Sequence, residues 1–275
     1  MKRCAIVLAL ASAGALAVTG FALAAGSSTA VVSFSPNNPN GTVTSGRFFF
    51  GTRTEYTLLT RTTRIRLALD DDFQFNPNSF PKCDPADISG DMTIQEAMQQ
   101  CGPPAGAANN AWLYPARLGA PNGTALLNLG PETLTACVFA FNGSGAASEV
   151  LLFVRVQLEG TGPIDCTSPE TNTAGQTSFL MRGDLKANPA IGGDYTDPDN
   201  CSAPDPRRGC EIDFYSIPSG TMRLTALNVA LHRANYARAQ CVDPPVGNRK
   251  WNMRATFTYA NPAATQTTNA SHTCT

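Results

Sequence analysis

Hydrophobic and polar residues alternate along much of the chain, and this pattern predicts β-strands. In segments 63–70, 153–159 and 250–259, every second residue is apolar and most of the residues between are charged or polar. The predicted inward residues are Ile65, Leu67, Leu69, Val154, Val156, Leu158, Trp251, Met253, Ala255, Phe257 and Tyr259. The predicted solvent-facing residues include Arg64, Arg66, Asp70, Arg155, Gln157 and Glu159. One buried and one wet face is typical of antiparallel sheets.

Further strands follow from weaker patterns. The alternation in segment 221–232 shifts by one residue, which predicts a β-bulge near Ala226. Additional candidates are 30–34, 47–51, 55–60, 124–129, 135–141, 177–183 and 211–217, with a hairpin loop at 142–148. About ten short strands separated by Gly, Pro and Asn predict an all-β protein. We expect a single antiparallel β-sandwich over residues 25–275, with either Greek-key or jelly-roll connections.

One segment, FPKCDPADISGDMTIQEAMQQCG at 80–102, departs from the strand pattern. Thr93 and Glu96 have the spacing of a capping box, and Ile94, Ala97 and Met98 form an apolar stripe at helical spacing. A two-turn helix is marginal by itself. We therefore expect a short helix near 93–101 that is held on the sheet by a Cys83–Cys101 disulfide.

The N-terminus has the features of a secretory signal peptide. Lys2 and Arg3 precede an uncharged apolar segment, and Ala22-Leu23-Ala24 matches the small-residue cleavage pattern. Cleavage after about Ala24 predicts an exported protein, either secreted or on the exterior of the cell envelope. No second apolar run of membrane-spanning length follows, so we expect no membrane span after cleavage.

The cysteine content agrees with export. The chain has nine cysteines, and removing Cys4 with the signal leaves eight. They are Cys83, Cys101, Cys137, Cys166, Cys201, Cys210, Cys241 and Cys274. An even number in an exported protein predicts four disulfides, and nearest-neighbour pairing is the simplest of 105 connectivities. There is no C-x-x-C pair and there are only two histidines, so the zinc pattern is absent.

Charge and motifs narrow the function classes. Without Lys2 and Arg3, 18 of the 20 basic residues remain against 21 acidic ones, which gives no electrostatic reason to expect nucleic acid as a partner. There is no G-x-S-x-G motif, and we interpret His232 and His272 as ordinary surface histidines. Glu149, Glu159 and Glu211 lie on or beside strands, and we interpret them as solvated rather than catalytic. The sequence therefore presents no catalytic residue.

A calcium site is the remaining cofactor hypothesis. Asp194, Asp197, Asp199 and Asp205 lie in one turn-rich loop, and oxygen-rich loops bind calcium outside cells. The EF-hand pattern is absent, and Asp also favours turns for its own backbone hydrogen bonding. No other cofactor is indicated.

Five motifs, four of which contain cysteine, are distinctive: FPKCDPADI, MQQCG, ACVFAFNG, LLFVRV and KWNMRATFTY…TNASHTC. Their combination resembles secreted, β-rich bacterial proteins of similar length that have no established activity, and the likeness spans about Phe73 to Thr275. The resemblance implies export and the cysteine framework, and it supplies no catalytic residue.

The sequence thus favours an exported, disulfide-linked module with a non-catalytic role in binding or at the cell envelope. Its partner is unknown; an envelope glycan and another surface protein both fit. Two alternatives stay open: a secreted carbohydrate-active enzyme that uses two carboxylates, and a calcium-dependent adhesion module.

Overall fold

The computed structural model describes the strands and most of their connections. The described residues are 28–36, 43–54, 61–70, 72–90, 92–101, 123–144, 148–158, 176–188, 209–217, 222–241, 250–260 and 263–274. Several predicted features lie outside them: the signal peptide at 1–24, the strand at 55–60, Glu159, Cys166, Cys201, and the calcium-loop residues Asp194, Asp197, Asp199 and Asp205.

The described residues form thirteen strands and one α-helix. The strands are β1 (Ser28–Ser35), β2 (Thr44–Thr54), β3 (Thr62–Leu69), β4 (Phe73–Phe75), β5 (Gly123–Leu129), β6 (Glu132–Gly143), β7 (Glu149–Gln157), β8 (Gln176–Asn188), β9 (Gly209–Phe214), β10 (Met222–Leu231), β11 (Ala237–Ala239), β12 (Lys250–Ala260) and β13 (Ala263–Thr273). The helix α1 spans Ile94–Cys101, and 3₁₀ turns occupy Pro77–Ser79 and Pro85–Asp87. Within this part of the chain, no helix has the length and apolar character needed to cross a membrane.

The strands are connected in one antiparallel sheet that folds over on itself. The strand order is β13-β12-β3-β9-β8-β7-β6-β5-β10-β2-β11-β4, and β1 also pairs with β2. Phe50 on β2 and Phe214 on β9 lie 5.9 Å apart between ring centroids, although five strands separate β2 from β9 in this order. Phe34 on β1 packs edge-on against Trp251 on β12. These contacts require two layers packed face to face, so the fold is the expected all-β sandwich.

The inner face of the sandwich has the residues that the alternation predicts. Ile65, Leu67 and Leu69 are buried, as are Trp251, Met253 and Phe257, and all six belong to the main hydrophobic core. Burial of a large apolar side chain contributes about 1.5–3 kcal/mol, so this core is the principal source of stability.

The predicted bulge is also present. The pairing of β10 with β5 shifts between Leu224 and Ala226, so Thr225 is the extra residue. Leu224 before the shift and Leu227 after it both reach the main core. The bulge therefore returns the hydrophobic side chains of β10 to the inner face.

A second hydrophobic cluster lies on the outer face of the sheet, beneath α1. Ile94 and Ala97 of the helix are buried against Phe139, Phe141 and Phe153 of β6 and β7. The capping box forms as predicted, since Glu96 N donates to Thr93 Oγ1 at 3.1 Å and Thr93 N donates to Glu96 Oε2 at 2.8 Å. Residues 136–143 of β6 and 149–156 of β7 are buried on both faces.

Two predicted disulfides connect described cysteines. Cys83 bonds to Cys101 across a separation of 18 residues, and Cys241 bonds to Cys274 across 33. Cys137 is also disulfide-bonded, and Cys210 is buried on β9. Their predicted partners, Cys166 and Cys201, lie outside the described residues. Disulfides are consistent with an oxidising compartment.

Candidate functional site

Charged side chains are concentrated on the outer face of four adjacent strands, and we call this group the charged ladder. The sheet order places β3, β9, β8 and β7 side by side. The ladder consists of Arg64 and Arg66 on β3, Glu211 and Asp213 on β9, Arg182, Asp184 and Lys186 on β8, and Glu149 on β7. It contains four basic and four acidic side chains and is therefore formally neutral.

The strand register places three carboxylates in one row across the ladder. Glu149 is opposite Asp184, and Asp184 is opposite Asp213. Like charges directly opposite each other on neighbouring strands repel. The row is therefore stable only if cations neutralise it, and this accounts for the basic residues on the flanking positions.

Diagonal ion pairs between strands supply this neutralisation. Arg66 Nε and one terminal nitrogen donate to the two carboxylate oxygens of Glu211 at 2.9 and 3.1 Å. Arg64 makes the same two-pronged contact with Asp213, with its Nε 2.6 Å from Asp213 Oδ1. Lys186 Nζ lies 3.1 Å from Asp184 Oδ2 and 3.0 Å from Asp213 Oδ2, so it bridges the two carboxylates.

The third carboxylate of the row has its own partners. Arg182 donates to Glu149 Oε1 at 2.5 Å, and the Tyr215 hydroxyl donates to the same oxygen at 3.1 Å. Glu149 is only 2% exposed at its side chain, whereas Arg182 is 35% exposed. The acidic side chains of the ladder therefore lie close to the sheet surface, and the basic side chains extend over them.

Ionisation of the ladder follows from these contacts. Burial favours the neutral form of Asp213, but hydrogen bonds from Arg64 and Lys186 outweigh it and lower the pKa of this carboxyl. Burial and the charges of Asp184 and Glu149 raise the pKa of Tyr215 to about 12. Asp213 is thus held ionised and Tyr215 protonated at neutral pH.

The solvated state that we expected for several polar residues is wrong. Glu149 and Glu211 are buried, because basic side chains lie over them. Asp70 is buried because it accepts hydrogen bonds from Asn252 N at 2.6 Å and Asn252 Nδ2 at 2.9 Å. Arg155 is 1% exposed.

The burial of Arg155 has a specific cause. Ser178, its register partner on β8, donates through Oγ to Gly90 O and Met92 O, so the segment before α1 covers this part of the sheet. Arg155 Nε donates to Gln176 Oε1 at 3.0 Å. Hydrogen bonds from Thr93, together with the charge of Arg155, lower the pKa of Glu96.

The outer face continues from the ladder over β12 and β13 as a surface of amides, hydroxyls and one guanidinium, which we call the polar face. Arg254 is paired in register with Asn269, and Asn252 with Ser271. These four residues line a shallow depression of about 370 Å³, together with Met253 and Ala270. Thr256 and Thr267, the next pair along, are within hydrogen-bond distance at 3.3 Å between their hydroxyl oxygens.

The two histidines occupy different surroundings. His272 on β13 stacks on the Trp251 ring, with centroids 5.8 Å apart and an interplanar angle of 10°. His232, directly after β10, lines a cavity with Arg47. Neither histidine is placed in the charged ladder.

Among the described residues, no group of three or more His, Cys, Asp or Glu side chains is arranged to hold a metal ion. The predicted calcium loop lies outside those residues. The ladder was only partly foreseeable, because Arg64 and Arg66 stand out in the sequence while their partners follow about 145 residues later.

Fold and site together define a disulfide-linked antiparallel β-sandwich whose outer face is covered by a helix at one part and carries ion pairs and polar side chains at another. Comparisons with protein-family models, curated proteins and solved structures find no match to this chain.

Proposed function

We propose that the protein is an exported, non-catalytic binding module that recognises an envelope polysaccharide through its polar face. The observation that carries the proposal is the shallow depression at Arg254. Amide and guanidinium groups next to hydroxyls supply the donors and acceptors that sugar hydroxyls require. Export is supported by the predicted signal peptide and by the disulfides.

The charge of Arg254 is available to a ligand. Among the described residues no ion pair is formed by Arg254, whereas Arg64, Arg66 and Arg182 each bind a buried carboxylate. A guanidinium without an internal partner has free donors for a sugar hydroxyl or an acidic substituent. Arg254 is therefore the residue on which we expect binding to depend.

The ionisation of the ladder favours binding over hydrolysis. A general acid needs a pKa near the working pH, and a glycosidase needs one carboxyl with a raised pKa. The pKa of Asp213 is instead lowered by its partners, and Tyr215 is held protonated. These groups fit a structural, charge-neutralising role.

A glycan array and a polysaccharide pull-down with the mature protein test the proposal. Arg254→Gln removes the cation at the depression, and Arg238→Gln on β11, also exposed, is the matched control. We expect retention of at least one polysaccharide by the wild type and the control, with binding by Arg254→Gln reduced about tenfold or more. Absence of retention, or equal binding by both variants, would contradict the proposal.

One observation favours a second candidate, the carbohydrate-active enzyme. Asp184 and Asp213 share Lys186, which places two carboxylates near each other. Release of reducing ends from a retained polysaccharide, abolished by Asp184→Asn, would support this enzyme. Calcium-dependent adhesion would instead require that a chelator abolish retention.

A further inference from the structure

A second cavity lies where β1 and β10 flank the beginning of β2. Its volume is about 470 Å³, and it is lined by Ser35, Pro36, Ser45, Gly46, Arg47, His232 and Ala234. Neither the charged ladder nor the polar face includes any of these residues. We call it the Arg47 cavity.

The strand register places three polar side chains in a row across this cavity. Ser35 on β1 is directly opposite Arg47 on β2. On the other side of β2, Leu231 is opposite Phe48, so His232 comes next to Arg47 as the chain leaves β10. Phe48 is fully buried, and alternation along the strand directs Arg47 outward. Neighbouring strands are about 4.8 Å apart, which allows one small group to contact all three side chains.

The close approach of β1 to β2 has a local cause in Gly46. A Cβ at this position would meet Ser35 O at 2.2 Å and the Phe34 ring at 2.7 Å. Only glycine permits this approach. The packing that excludes a side chain at Gly46 therefore holds Ser35 beside Arg47.

A fourth polar group completes the set of donors. Ser45 lies two residues before Arg47 and thus on the same side of β2. Its Oγ accepts a hydrogen bond from Asn235 N at 2.6 Å, and Asn235 has the left-handed φ of 64° that asparagine tolerates. Because a hydroxyl has one proton and two acceptor positions, Ser45 keeps its proton for a ligand.

The charge in the cavity is positive and uncompensated within the described structure. None of the lining residues is acidic. In the described part of the chain Arg47 forms no ion pair, in contrast to Arg64 and Arg182 of the charged ladder. A guanidinium fork matches two oxygens of a carboxylate, sulfate or phosphate.

We propose that the Arg47 cavity is an oxyanion-binding site, in which Arg47 holds two oxygens of the anionic group while Ser35, Ser45 and His232 donate hydrogen bonds to it. The site is separate from the polar face and does not depend on the polysaccharide proposal. The oxyanion is a carboxylate or a tetrahedral sulfate or phosphate, and the experiment distinguishes these sources.

Isothermal titration of the mature protein at constant ionic strength tests the site. The probes are sodium sulfate, inorganic phosphate, acetate and glucuronate. Arg47→Gln is the test variant, and Arg53→Gln, an exposed arginine on the same strand, is the matched control. We expect saturable binding by wild type and Arg53→Gln, with at least about tenfold weaker binding by Arg47→Gln, because a charge-assisted contact is lost.

The pattern of affinities identifies the source of the anion. Tighter binding of acetate and glucuronate assigns a carboxylate ligand, and tighter binding of sulfate or phosphate assigns a tetrahedral one. If Arg47→Gln does not fold, Arg47→Lys keeps the charge but loses the fork, and we expect weakened binding. No saturable binding by any of the four probes, or equal affinities for the Arg47 and Arg53 variants, would overturn the proposal.

Discussion

Removal of the Cys83–Cys101 disulfide should both destabilise the protein and release its helical layer. The bridge closes a loop with a separation of 18 residues. In the chain-entropy model, a loop of this length contributes about 3 kcal/mol. The double variant Cys83→Ser, Cys101→Ser should therefore unfold at lower denaturant. With an m-value of about 3 kcal/mol per molar urea, the midpoint should fall by about 1 M.

The local effect is as informative as the global one. The helix is only two turns long and depends on the bridge, the capping box and its contacts with Phe139 and Phe153. Hydrogen exchange should show that the amide of Ala97, which donates to Thr93 O, loses protection in the double variant.

A matched control separates these two effects. The Cys241–Cys274 bridge closes a longer loop, with a separation of 33 residues. Its removal should cost slightly more free energy, by about 0.5 kcal/mol in the same model, but should leave exchange at Ala97 unchanged. An unchanged urea midpoint in the Cys83, Cys101 variant, or equal exchange at Ala97 in both variants, would refute the reasoning.

Three further predictions concern single positions. Asn142→Ala should lower the free energy of unfolding by about 1–3 kcal/mol, because its buried Nδ2 donates to Pro77 O and Phe80 O; urea denaturation measures this. Asp213 has a lowered pKa in the folded state, so its stabilising effect is present above its unfolded pKa of about 3.9 and is lost as pH falls through the folded value. Urea midpoints of wild type and Asp213→Asn should therefore differ at pH 6, and the difference should shrink as the pH falls below about 4. Gly123→Ala should destabilise by about 1–3 kcal/mol, because its Cβ would meet backbone oxygen of Asn228 at 2.0 Å.

Each of these predictions can be contradicted directly. Unfolding of Asn142→Ala at the wild-type midpoint would show that backbone carbonyls of the 77–81 segment find other donors. A difference between wild type and Asp213→Asn that does not shrink between pH 6 and pH 3 would remove the ion pairs as its cause. A fully stable Gly123→Ala protein would show that β5 and β10 can separate at little cost.

Local sequence patterns predict those elements in which the order of apolar and polar residues reflects which side chains are buried or form a cap. The alternation in β3 and β12, the bulge at Thr225 and the capping box at Thr93 all depend on residues close together in sequence. In contrast, β13 consists of Ala, Thr, Gln, Asn, Ser and His and has no apolar alternation. It is a strand because β12 pairs with it along eleven residues. The three-residue strands β4 and β11 are too short to show any period.

The candidate site was less predictable because it depends on register between distant strands. Alternation predicts that Arg64 and Arg66 face solvent, but it does not identify the acidic residues beside them. The structure pairs them with Asp213 and Glu211 on β9. The burial of Arg155 was also not predictable. Alternation predicts that its side chain points outward from the sheet, but it gives no information on which segment covers that side chain.

The outer face of β7 shows how the fold separates the two kinds of surface. Along this strand the outward residues change from Glu149 to Leu151 and Phe153, which α1 covers, and then to Arg155, which lies under the segment before α1. A helix placed over Glu149 and Arg182 would remove their ion pair from contact with water, and this desolvation would cost several kcal/mol of folding free energy. Because their outward side chains are charged or polar, the ladder and the polar face are not covered by the helix. Since Arg254 lies on β12, several strands from the helix in the sheet order, loss of the Cys83–Cys101 bridge should free the helix without altering polysaccharide retention in the folded protein.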